Sequence, residues 1–67
     1  MQERDATSGR EILFEFLPVG RQMRVAAIDA KSGVEVVVIT PLTVSETQMK
    51  ALALAKLRRR LETGGKA

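Results

Sequence analysis

The stretch Gly33–Thr40 reads GVEVVVIT, and Val36, Val37, Val38 and Ile39 within it are consecutive, β-branched and apolar. That side-chain shape packs well on a pleated surface. Gly33 opens the run and Pro41 follows it, both breakers of a strand. Successive strand residues point to opposite faces, so this strand offers apolar groups to both sides of a sheet. A chain of 67 residues is one small domain. It rarely carries enough structure to cover both faces of a sheet. The strand therefore implies a sheet with one face in the core and a second face that is either an interface or an exposed patch fenced by charges.

Just before this run, DAKSG reads as a hairpin loop. Asp29 can bond to the backbone ahead of it, and Gly33 tolerates the left-handed conformation that closes such loops. Pairing Asp29 with Val34 sets Val25 opposite Val38 and Ala27 opposite Val36. In RQMRVAAID, Met23, Val25 and Ala27 alternate with Arg24, Ala26 and Ile28. Earlier still, EILFEFLP places Ile12, Phe14 and Phe16 on one face and Glu11, Leu13, Glu15 and Leu17 on the other. A two-residue loop at Val19-Gly20 sets Phe16 opposite Met23, Phe14 opposite Val25 and Ile12 opposite Ala27, with Glu15 opposite Arg24. Gly20 is not at the usual position of the tightest hairpin turn, which leaves room for a slightly longer loop.

C-terminal to the sheet, TPLTVSETQ stops the ladder at Pro41 and starts a helix. Thr43 with Glu46, or Ser45 with Gln48, forms a capping-box pattern. The helix is expected from Val44 or Glu46 to Glu62, with Gly64 and Gly65 ending it. Ala53, Leu54, Leu57 and Leu61 share one stripe, with Met49 at its edge and Leu52 well outside. The expected fold class is α+β, a three-stranded antiparallel β-meander followed by one C-terminal α-helix. Residues 1–10 read as a flexible tail, 11–62 as the domain and 63–67 as a second tail. The helix is expected on the face made by Ile12, Phe14, Phe16, Met23, Val25, Ala27, Val36 and Val38.

The opposite face carries Leu13, Leu17, Ala26, Ile28, Val37 and Ile39 beside Glu11, Glu15, Arg24 and Glu35. With Leu52 it forms the candidate interface, and a two-fold homodimer is the commonest way to cover such a patch. The third strand is also the edge better suited to pair with a second chain.

Chemistry-bearing residues are sparse. His, Cys, Tyr and Trp are absent, and the only aromatics are Phe14 and Phe16. There is no catalytic residue pattern, no metal motif and no phosphate loop. We expect no enzyme, no cofactor and no small-molecule substrate. No apolar run is long enough to span a bilayer, and MQERDATSGR is not a secretory signal, so the expected location is cytoplasmic. The formal net charge of +3 is a mild excess. Its one cluster, Lys56, Arg58, Arg59 and Arg60, complements the helix C-terminus electrostatically. The alternative is phosphate contact with nucleic acid, with Arg21, Arg24 or Lys31 assisting.

The stretches REILFEFLPVG (Arg10–Gly20), VAAID (Val25–Asp29), GVEV (Gly33–Val36) and Lys56-Leu57 together resemble a family of small uncharacterised alphaproteobacterial proteins, a domain of unknown function with an REILFEFxPVG-type motif. The resemblance spans about residues 10–61 and implies no activity. These readings converge on a non-enzymatic interaction module, self-associating through its second sheet face. A nucleic-acid-binding domain and a small subunit of a larger complex are the alternatives.

Overall fold

Alternation of apolar residues decides which side of each strand leaves water, and the sheet of this protein is organised by that alternation. The computed structural model describes residues 2–7 and 10–64. Its elements in chain order are β1 (Gln2–Thr7), β2 (Arg10–Val19), β3 (Gln22–Asp29), β4 (Glu35–Pro41) and α1 (Glu46–Gly64). The strands pair antiparallel in the order β1-β2-β3-β4. The α+β plan of an antiparallel meander followed by a C-terminal helix is thus present. The thinnest dimension, 16 Å, is that of two layers, sheet and helix.

One strand was not expected. Gln2–Thr7 lies in the segment read as a tail, yet it pairs along β2 from Gln2 opposite Glu15 to Thr7 opposite Arg10. Its sequence, QERDAT, contains a single apolar residue, Ala6. Backbone hydrogen bonds to β2 hold it, and these leave no trace in an apolar pattern. Arg4 Nε also meets Glu11 Oε2 at 2.7 Å, an exposed pair of the kind worth about 0–1 kcal/mol. The helix extends to Gly64, slightly beyond the expected Glu62. Of the second expected tail, residues 65–67 lie outside the described residues, as do 1, 8 and 9 of the first.

The β3–β4 hairpin has the expected register, with Val25 opposite Val38 and Ala27 opposite Val36. Asp29 N–H donates to the Val34 carbonyl at 2.9 Å and Gly33 N–H to the Asp29 carbonyl at 2.7 Å. Gly33 takes φ 77°, a conformation that a side chain resists. The β2–β3 hairpin differs from expectation. Its loop is Gly20-Arg21, closed by Val19 opposite Gln22. Gly20, at φ 62°, thereby occupies the first loop position, where tight hairpins place such a residue. Moving the loop centre by one residue moves every partner by two. Phe16 faces Val25, Phe14 faces Ala27, and Ile12 faces Asp29. Glu15 faces Ala26 and not Arg24, which is opposite Leu17. Because the shift is even, no side chain changes face.

The core forms on the expected face. Ile12, Phe14, Phe16, Val25, Ala27 and Val36 are buried with Met49, Ala53 and Leu57 of α1, and Met23, Val38, Leu54 and Leu61 pack around them. Met49 lies about 40° beyond Ala53, at the edge of the stripe as expected, and is buried there all the same. Lys50 lays its ammonium 5.2 Å from the centroid of the Phe14 ring, a cation–π contact at the rim of the core. The helix is capped by Ser45, whose Oγ accepts from Gln48 N–H at 3.1 Å. This is the second of the two cap patterns read from sequence.

Two substitutions separate these contributions in urea unfolding. Phe14→Ala empties the centre of the core and is expected to cost about 3–5 kcal/mol. Ser45→Ala removes one cap bond at an exposed end and is expected to cost about 1 kcal/mol.

Candidate functional site

The sheet face opposite α1 is built by register. Leu17, Arg24 and Ile39 lie in one row across β2, β3 and β4. Glu15, Ala26 and Val37 form the next, and Arg4, Leu13, Ile28 and Glu35 the third. Ala26 is fully buried although no helix covers this side. Its methyl group is shorter than every neighbour in its own and adjacent rows, and they shelter it. Leu13, Ile28 and Val37 are half-buried by the same mutual packing. Leu17 at 54% and Ile39 at 55% are the exposed apolar ends of the first row. Arg24 stands between them, while Arg4, Glu11, Glu15 and Glu35 fence the patch. Leu52 is exposed at 46%, but it lines a groove with Val36 on the helix side of β4. The structure therefore brings six of the seven expected interface residues onto one surface and leaves Leu52 on another.

The basic cluster is divided as well. Lys56, Arg59 and Arg60 share the groove between α1 and β4, with Thr63 at its end. Arg58 turns to the other flank of the helix, where it lines a smaller groove with Arg10, Leu54 and Leu61. Helical spacing explains the split, since positions 56, 59, 60 and 63 fall within one face and position 58 does not. Lys56 does more than line the groove. Its Nζ donates to the Val37 carbonyl at 2.7 Å, on the outer edge of the sheet.

A third feature was not foreseen. Asp29 is wholly excluded from water, whereas its loop position suggests a solvated carboxylate. Its Oδ2 accepts from Arg10 at 2.7 Å, from Ser32 Oγ at 2.7 Å and from Ser32 N–H at 3.2 Å. These bonds knot the start of β2 to the β3–β4 loop. The Ser32 hydroxyl is the main cause of a carboxyl pKa held below its ordinary value, and the Ser32 N–H and the Arg10 charge act the same way; burial opposes them. Alternation puts Arg10 and Asp29 on the same face near one end of the sheet. That juxtaposition of opposite charges was the available sequence signal.

A model of a domain of unknown function matches residues 9–64, nearly the whole chain. The chain belongs to the DUF6898 family. No curated protein and no solved structure matches it. Among the described residues of this DUF6898 chain, no three His, Cys, Asp or Glu side chains gather as a metal site. No helix among them is long and apolar enough to cross a membrane. The DUF6898 fold displays an open sheet face with exposed Leu17 and Ile39 and a cation-lined groove between α1 and β4.

The Asp29 knot gives a signed pH effect. Its folded-state pKa is depressed, so the unfolded chain takes up the proton more readily. Asp29 thus contributes stability that is present above the ordinary aspartate pKa of about 3.9 and is lost as pH falls through the folded-state value. Asp29→Asn is expected to lower the melting temperature at pH 7 and to flatten the acid limb of a melting-temperature profile. A variant that melts in parallel with the parent from pH 7 to pH 2 removes Asp29 from the acid response.

Proposed function

We propose that this DUF6898 chain is a non-enzymatic protein-interaction module of the bacterial cytoplasm that self-associates through the open face of its sheet. The observation that carries the reading is the row Leu17–Arg24–Ile39. Its two apolar ends are more than half exposed on a side of the sheet that α1 does not reach. Burying apolar surface of this kind against a partner favours association, against the cost of lost freedom. The charges favour a second copy as that partner. Arg4 and Arg24 lie on the same face as Glu11, Glu15 and Glu35, so two copies related by a two-fold axis present both signs to each other. The stretch Arg10–Gly20 supplies Leu13 and Leu17 to this face as well as Ile12, Phe14 and Phe16 to the core.

The absence of His, Cys, Tyr and Trp supports the non-enzymatic part of the reading, because these are common carriers of proton transfer and nucleophilic chemistry. The main alternative is a different protein on the same face, as in a subunit of a larger complex. Contact with nucleic acid draws on the shared groove of Lys56, Arg59 and Arg60. It lacks the exposed aromatic rings on which bases stack, since Phe14 and Phe16 are both buried.

Light scattering after size exclusion tests self-association. The expected mass is twice the 7.3 kDa of one chain, falling to a single chain on dilution. Leu17→Lys with Ile39→Lys alters only exposed positions and is expected to give a folded monomer by circular dichroism. A parent chain that stays monomeric up to about 1 mM overturns the proposal. A dimer that survives both lysines places the interface elsewhere.

A further inference from the structure

The outer edge of β4 and the flank of α1 form a groove of about 580 Å³. Its apolar floor includes Val36, Leu52 and Ala55, its cations are Lys56, Arg59 and Arg60, and among the described residues no carboxylate lines it. The backbone along this edge is ordered for pairing. In an antiparallel strand the residues that bond to the neighbour alternate with residues whose N–H and C=O point away. The Asp29–Val34 bond sets one phase of that alternation on β4. Lys56 bonding to the Val37 carbonyl from outside sets the other. Glu35, Val37 and Ile39 therefore direct their N–H and C=O groups outward, beside the cationic groove.

We propose that this groove takes an acidic, extended peptide segment of another protein, which adds to the edge of β4 as a fifth strand. Every second side chain of such a strand enters the groove. A glutamate there lays its methylenes over Leu52 and Ala55 and brings its carboxylate to Lys56, Arg59 and Arg60. The intervening side chains continue the open sheet face beside Val37 and Ile39, where apolar groups fit best. Lys56 is the gate. In the free protein its ammonium occupies the Val37 carbonyl and blocks the edge, as charged side chains do on many edge strands. A carboxylate of the incoming strand competes for the ammonium and frees that carbonyl for a strand N–H.

The same features choose this occupant over two others. A second β4 edge would bring a second set of Lys56, Arg59 and Arg60 against the first, and the like charges repel. Nucleic acid would satisfy the cations but gains nothing from an apolar floor and a row of alternating backbone donors and acceptors. This proposal stands apart from self-association through the open face, because its cationic groove is on the opposite side of β4.

The experiment uses a fluorescein-labelled peptide of about eight residues alternating Glu with Val, with a Lys–Val peptide and an oligothymidylate as comparisons. Anisotropy at low salt is expected to show saturable binding of the Glu–Val peptide alone, weakened about tenfold by Arg59→Gln with Arg60→Gln. Both positions are exposed, and circular dichroism checks that the variant is folded. Amide hydrogen exchange is expected to slow at Glu35, Val37 and Ile39 on binding, which charge attraction alone does not produce. Equal binding of the Lys–Val peptide, binding without amide protection, or binding of oligothymidylate while the Glu–Val peptide stays free overturns the proposal.

Discussion

Ala27 in β3 and Ala53 in α1 are both completely excluded from water, and their methyl groups set how near the helix lies to the sheet. The α1 backbone comes within 8 Å of β3 and β4 at Cα, closer than bulkier residues at these two positions would allow. This closeness suits the composition. With aromatics at only 3% of the chain, the core is filled mainly by short aliphatic groups, which span a narrow gap between layers and not a wide one. Phe14 and Phe16 occupy the β2 side of the core, where Lys50 covers the Phe14 ring.

The placement of α1 has consequences at both sides of the sheet. Because the helix sits over β3 and β4, its flank is near enough to the β4 edge for Lys56 to reach the Val37 carbonyl. Its other flank stands beside the start of β2, where Arg10 and the buried Asp29 close the end of the core. A single helix cannot also cover the far side of the sheet. The mutual shielding of Ala26, Leu13, Ile28 and Val37 is what the protein offers there instead, and Leu17 and Ile39 are left outside that shelter.

Legibility in the sequence followed the physics of each feature. Faces were readable because side-chain direction has a period of two and survives an even shift, so Phe14 is buried whether Val25 or Ala27 lies opposite. The β2–β3 register depended on one residue of loop position, and only the left-handed Gly20 fixes it. The β3–β4 register was readable because Asp29 and Gly33 mark both ends of a single loop. β1 was invisible because a strand held through its backbone writes no apolar alternation. The Asp29 knot was overlooked because turn chemistry alone already accounted for an aspartate at that place. The division of Lys56, Arg59 and Arg60 from Arg58 follows from helical spacing. Knowing which flank meets β4, however, required the packed structure.

The unbroken strand order β1-β2-β3-β4 also bears on how the chain finds its fold. Every strand pairs with its immediate neighbour in sequence, so each pairing closes only a short loop and costs little chain entropy. Each hairpin can therefore form by local search. Such a topology favours faster folding than that of sheets built from distant strands. It also grades the motions of the native state. β3 is paired on both sides and lies under the helix, whereas β1 pairs with β2 alone, so local opening costs least at β1.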